Sequence, residues 1–207
     1  MLAYRGMKRR LVLAFTIFLL SLIGAGIYFV VNKAPEQDQQ SVSPRQASYR
    51  DSAIGLEVKY PEQTAKAQTL TDADKKDKIM LRLTGQEGQL PMLVTLRSES
   101  GLRVVANLTK ASIIDILMSN SEKALPQRFT GYKEESRRRY EHNGRNAGEI
   151  IFTYNSPVEG ERVKQRFVVF VKDDNTAVYL AMQAKEVDFD EQNAKLFQPM
   201  AESLGFE

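Results

Sequence analysis

The sequence predicts an α/β (α+β) fold, a sheet of hairpin-linked strands with helices on both faces, preceded by one transmembrane helix. Three observations point there. Residues 11–31 form one uncharged apolar run. From Gly55 onward, segments alternate apolar and polar residues and are separated by Pro, Gly and Asn turn signals. Phe167-Val-Val-Phe-Val171 is apolar at both parities, and a strand of that kind needs cover on both faces of its sheet.

Leu11 to Val31 is 21 residues without a charge. At about 1.5 Å of rise per residue, a helix of that length is roughly 31 Å long and matches a hydrocarbon core of about 30 Å. Arg5, Lys8, Arg9 and Arg10 precede it with no acid among them, whereas Lys33, Glu36 and Asp38 follow. That bias puts the N-terminus in the cytoplasm and the C-terminal domain outside it, as expected for a single-pass protein of the plasma (inner) membrane. A cleaved signal peptide also begins with basic residues, but its apolar region runs about 7 to 15 residues. Here the run continues through Ile27, Tyr28, Phe29, Val30 and Val31, so residues 11–31 read as a signal anchor and 1–10 as a basic cytoplasmic tail. Within the anchor, Ser21 and Ala25 form a single small-x-x-x-small pair of the type that favours helix association.

Residues 32–52 are rich in Gln, Ser and Pro and poor in large aliphatics. Such a stretch cannot offset its ordering entropy and reads as a flexible linker, with a coil span of roughly 25 Å that keeps the domain, residues 53–207, near the membrane. The sequence pI near 9.0 belongs to the anchor and linker. Residues 1–50 hold 7 Lys/Arg against 2 Asp/Glu, and the rest holds 22 against 24. The domain therefore lacks the basic balance of a nucleic-acid binder.

Within the domain, Gly55-Leu-Glu-Val-Lys-Tyr60 alternates and stops at Pro61, which predicts a first strand. Residues 63–78, with the charged patch from Asp72 to Lys78, read as a loop. Ile79 to Thr84 and Leu93 to Arg97 alternate again and suggest an antiparallel pair. From Asn107 to Leu125 the period changes to 3.6, with Ile113, Ile114, Leu117, Met118, Ser121, Ala124 and Leu125 on one face. Asn107 or Thr109 is the expected cap of this helix, and Pro126 its expected end. Four strands follow over Glu134–His142, Gly148–Tyr154, Arg162–Lys172 and Ala177–Glu186, separated by Asn143-Gly144, Asn155 to Gly160 and Asp173 to Asn175. A closing helix is expected with Asp190 as N-cap and Phe189 just outside it. Pro199 then fits as the first residue of a second helical turn carrying Met200, Ala201 and Leu204.

Few residues suggest chemistry. His142 is the only histidine, stands beside a turn with no G-x-S-x-G elbow to present a serine, and reads as an exposed turn residue. One His and no Cys exclude a zinc site of the usual ligand types, disulfides and a lipid-modified cysteine. No nucleotide-binding fingerprint occurs, and no cofactor is implied. Asp72, Asp74 and Asp77 could offer oxygens to a hard cation, but an EF-hand counted from Asp72 has Asp77 where glycine belongs and Leu83 where glutamate belongs, so a solvated loop is expected. The sequon Asn107-Leu-Thr109 reads as helix cap, not glycan site. The candidate interaction surface is Arg137, Arg138, Arg139 and Tyr140. Strand alternation puts Arg137 and Arg139 on one face and Arg138 and Tyr140 on the other. Such a run either protects a sheet edge with charge or recognises phosphate or carboxylate groups of an envelope polymer or lipid headgroup.

Gly55-Leu-Glu-Val-Lys-Tyr-Pro61, His142-Asn-Gly-Arg-Asn-Ala-Gly-Glu-Ile-Ile-Phe-Thr-Tyr154, Gly160-Glu-Arg-Val-Lys-Gln-Arg-Phe-Val-Val-Phe-Val171, Ala177-Val-Tyr-Leu180 and the ending Phe197 to Phe206 together resemble the PsbP-like domain, named for an extrinsic photosystem II subunit and related in fold to Ran-binding nuclear-import factors. The resemblance covers about residues 51–207. It implies an α/β/α sandwich on a mostly antiparallel, twisted sheet, which agrees with the residue-level reading. It also implies a non-enzymatic docking or accessory module. Lacking a lipid-attachment cysteine and carrying a signal anchor in place of a bipartite plastid transit peptide, the chain best matches a membrane-anchored bacterial envelope member that docks on an envelope protein or anionic envelope polymer. The alternatives are a ligand-carrying or enzymatic envelope domain with a pocket between sheet and helices, and a photosystem-associated protein.

Overall fold

A computed structural model describes residues 45–85, 92–102, 112–157, 160–173 and 175–207. The run Leu11 to Val31, most of the expected linker and the sequon at Asn107 lie outside these residues. Among the described residues, no helix is long and apolar enough to cross a membrane.

In chain order the elements are β1 (Gln46–Asp51), β2 (Leu56–Pro61), β3 (Ala65–Ala67), α1 (Asp72–Lys76), β4 (Ile79–Gly85), β5 (Met92–Ser100), α2 (Ile113–Arg128), β6 (Lys133–His142), β7 (Arg145–Asn155), β8 (Arg162–Val171), β9 (Thr176–Lys185), α3 (Phe189–Gln192), α4 (Gln198–Ser203) and β10 (Gly205–Phe206). Strands β3 to β9 form a seven-stranded sheet in the order β3-β4-β5-β9-β8-β7-β6, and every neighbouring pair is antiparallel. A second, three-stranded sheet runs β1-β2-β10. The fold is α+β.

Strands β8 and β9 are buried along almost their whole length, as the double parity of Phe167 to Val171 requires. On one face, Ile150, Phe152, Phe167, Val169 and Tyr179 pack under Ile114, Leu117, Met118 and Leu125 of α2. On the other, Val168, Phe170, Leu180 and Met182 pack under Phe189, Leu196, Phe197 and Met200 of the C-terminal helices and Leu56 and Val58 of β2. Helix α2 lies very close to β7: a Cβ built on Gly148 would stand 2.4 Å from Met118 Sδ. At the β6–β7 hairpin, Asn143 and Gly144 both take positive φ, 51° and 73°, the two-residue turn that an Asn-Gly pair favours.

The structure corrects the sequence-based expectations at several places. Residues 46–51, expected within the linker, form β1, which pairs with β2 in register from Gln46↔Pro61 to Asp51↔Leu56 and turns Ala47 and Tyr49 toward the core. The expected loop 63–78 contains β3 and the short helix α1. As described, α2 begins at Ile113 behind a Ser112 cap whose Oγ accepts from Asp115 N at 3.3 Å. It does not stop at Pro126 but runs to Arg128, where the missing proline N–H removes one bond in the last turn only. Phe189 is not outside the closing helix but is its first, fully buried residue, so Asp190 is not its cap. A wide π-type turn over Asn193–Phe197 joins α3 to α4, and Pro199 sits in the first turn of α4 as expected.

Helix α1 exists because of its cap. Thr71 Oγ1 accepts from Asp74 N at 3.1 Å while Asp74 Oδ2 accepts from Thr71 N at 2.9 Å. Asp74 Oδ1 pairs with Arg82 of β4, and both side chains are largely buried. The Asp74 oxygens are thus committed inward, while the Asp72 side chain is fully solvent-exposed. Among the described residues no cluster of His, Cys, Asp or Glu has metal-binding geometry. Burial alone would raise the Asp74 pKa, but the Thr71 hydrogen bonds and the Arg82 guanidinium outweigh it and hold it below 3.8. The associated stability is therefore complete above the ordinary carboxylate pKa and is lost as pH falls through the lower folded value. Asp74→Asn is expected to cost about 2 to 3 kcal/mol at neutral pH. In urea titrations the gap between wild type and variant should narrow from pH 5 to pH 3.

Candidate interaction surface

Strand β6 is an edge of the large sheet and carries Arg137, Arg138, Arg139 and Tyr140. Alternation distributes them as expected. Arg137 and Arg139 face α2, where Arg137 Nη1 lies 3.0 Å from Glu122 Oε2 and Arg139 Nη1 lies 2.6 Å from Asp115 Oδ1. Arg137 also donates from Nε and Nη2 to Glu134, at 2.9 and 2.6 Å. Those hydrogen bonds raise its pKa and lower that of Glu134. Arg138 points to the opposite face, with its guanidinium 4.9 Å above the Tyr140 ring and Nε 2.9 Å from Glu149 Oε1.

The run thus divides into two sets of ion pairs, one on each face of the sheet. Arg138 and Arg139 remain more than half exposed, at 59% and 57% of their side-chain surface, while Arg137 is mostly covered. Guanidinium has five N–H donors, so a paired arginine at this edge still presents hydrogen-bonding capacity to a carboxylate or phosphate.

Behind Arg138 lies a group the sequence reading missed. The Glu149 carboxylate is only 4% exposed and holds Arg138 on one oxygen and Arg166 Nε on the other, at 2.5 Å. Arg166 Nη1 also donates to Asn193 Oδ1 at 3.0 Å, tying β7 and β8 to the π-type turn. The available signal was a glutamate and an arginine at core parity in otherwise apolar strands. His142 is likewise corrected: it is half-buried, its Nε2 lies 2.7 Å from the Leu204 carbonyl, and its ring meets Phe170 edge-on at 5.2 Å. With the proton on Nε2 it donates to that carbonyl and fastens the hairpin to the end of α4.

A second polar group, also missed, lies under the C-terminal end of α2. Tyr154 donates to Gln183 Oε1 at 3.2 Å, Gln183 is the cross-strand neighbour of Gln165, and the Phe129 ring packs tilted by 45° against the Tyr154 ring, with centroids 4.4 Å apart. Arg128 closes the helix beside them. Burial pulls its pKa down to about 10, partly opposed by Tyr154, so it is charged at neutral pH.

No protein-family profile and no curated protein matches the sequence. Among solved structures, the cyanobacterial PsbP of Synechocystis sp. PCC 6803 aligns with a TM-score of 0.56 at 10% identity, over 84% of this chain and 98% of its own. The chain has the PsbP-like fold. LpqN of Mycobacterium tuberculosis, described as involved in cell envelope biogenesis, aligns with a TM-score of 0.50 at 10% identity, over 79% of this chain and 91% of its own. The Ran-binding protein Mog1p of Saccharomyces cerevisiae aligns at 0.44 and 10% identity, over 79% and 96%.

Removing one member of a buried ion pair strands the others in a low-dielectric setting, at about 3 to 5 kcal/mol. Glu149→Leu is expected to destabilise the PsbP-like domain by that amount in urea unfolding. Adding Arg166→Met should recover much of the loss, because one of the stranded guanidinium groups is then replaced by an apolar side chain.

Proposed function

We propose that this chain is a membrane-tethered, non-enzymatic binding module whose PsbP-like domain docks on another component of the cell envelope from the extracytoplasmic side. The observation that carries the reading is the 21-residue uncharged run Leu11 to Val31 behind a wholly basic flank, followed by a domain with its own core. The fold shared with LpqN, described as involved in cell envelope biogenesis, supports the same assignment. The docking contacts are assigned to Arg138 and Arg139, the two exposed guanidinium groups of the β6 edge, which suit carboxylate or phosphate groups on the partner.

Two experiments test this. A cysteine introduced at Ser43 should react with an impermeant thiol reagent on intact cells; reaction only after lysis overturns the topology. Co-purification from membranes at low and moderate salt, with complementation of a deletion strain, tests the surface. Arg139→Ser should weaken partner recovery and reduce its salt sensitivity, since an exposed charge chiefly steers association. His142→Ala, which removes one hydrogen bond worth about 1 kcal/mol, should leave recovery unchanged. Loss of function in a folded, normally abundant His142→Ala protein would contradict a binding-only role.

A further inference from the structure

All three guanidinium nitrogens of Arg128 are buried without a hydrogen-bond partner. Among the described residues no carboxylate forms an ion pair with it; its neighbours are the Phe129 ring, 5.6 Å from its guanidinium carbon, and Tyr154. Gln165 shows the same anomaly on the strand below. It is completely buried, yet neither its amide oxygen nor its amide nitrogen has a partner. Buried polar groups are satisfied in the great majority of cases, and a buried charge without a counter-charge is costlier still. Here two such side chains belong to one cluster. Arg128 interacts with Tyr154, Tyr154 bonds Gln183, and Gln183 stands opposite Gln165 across β8 and β9. The rings of Phe129, Tyr132, Phe152 and Tyr154 pack around this group with centroids 4.4 to 6.0 Å apart.

We propose that the junction between the C-terminal end of α2 and strands β7 and β8, where these enclosed polar atoms meet, opens to bind a small aromatic or otherwise apolar carboxylic acid. Its carboxylate pairs with Arg128 and accepts from the Gln165 amide, and its apolar body lies against Phe129 and Tyr154. The ligand's charge follows from the site. One guanidinium neutralises one negative charge, so a carboxylate balances it, whereas a phosphate dianion would leave an uncompensated charge among aromatic rings. The planar two-oxygen end of a carboxylate also matches the guanidinium fork. This site is at the C-terminal end of α2, whereas Arg139 pairs with Asp115 in the first turn of that helix, and it does not depend on the membrane topology.

The test uses the purified full-length chain with benzoate as probe and inorganic phosphate and sodium chloride as controls. Benzoate should raise the melting temperature saturably, because a ligand that binds only the folded state stabilises it. It should also show saturation transfer from the protein to its ring protons, and phosphate and chloride at equal ionic strength should do neither. Arg128→Gln should weaken benzoate binding about tenfold or more, the usual consequence of losing a hydrogen bond to a charged group. Gln165→Leu should weaken it less. Should both variants fold poorly, the wild-type protein still decides: ring protons that show no saturation transfer, or a thermal shift reproduced by chloride, overturn the proposal. An Arg128→Gln protein that binds benzoate as tightly as wild type overturns it as well.

Discussion

The architecture depends on one constraint: β8 and β9 are apolar on both faces and lie in the middle of the sheet. A strand pair of that kind is stable only between two covers. The chain supplies them from distant places. Helix α2, from the middle of the sequence, covers one face. The other is covered jointly by the beginning and the end of the domain, because β10 pairs with β2 and Ser203 Oγ both accepts from Lys59 N, at 2.9 Å, and donates to Lys59 O, at 3.1 Å. Glu207 N adds a bond to Gly55 O at 2.7 Å. The second core therefore closes only when residues about 150 positions apart have met, a topology whose high contact order favours slow folding.

Charge is used in the same way, as a fastening between layers. The arginine run of β6 could be taken from its sequence for a basic patch. In the folded chain Arg137 and Arg139 reach the acids of α2, while Arg138 and Arg166 share Glu149 of β7 on the opposite face of the sheet. Burying Glu149 is tolerable only because two guanidinium groups meet it, and Arg166 in turn binds Asn193 at the start of the π-type turn. The edge strand is thus fastened directly to α2 and, through Glu149 and Arg166, to the C-terminal cover, while Arg138 and Arg139 stay more than half exposed.

The large strands and α2 were legible in the sequence because their periodicity is a direct record of which side meets the core. So was the split of the arginines between two faces, which follows from alternation alone. Three kinds of element were not. Strand β1 has the composition of a linker, Gln-Ala-Ser-Tyr-Arg-Asp, and owes its form to hydrogen bonds with β2. Helix α1 is five residues long and held by Thr71 and Asp74, a cap written with aspartate where the familiar motif has glutamate or glutamine. The polar group of Arg128, Gln165, Tyr154 and Gln183 is assembled from three strands and a helix end, so no local pattern announces it. Its traces were the glutamines at core positions of β8 and β9.

The β1–β2 pairing also has a mechanical aspect. Gln46 sits opposite Pro61, at the open end of the hairpin, and Asp51 opposite Leu56, at its closed end. Tension that draws residue 45 away from β2 acts first at this open end, where Arg45 O accepts from Glu62 N at 2.9 Å, and then on each next pair, as in opening a zipper. Peeling the six residues of β1 would release about 20 Å of chain before the force reached the seven-stranded sheet.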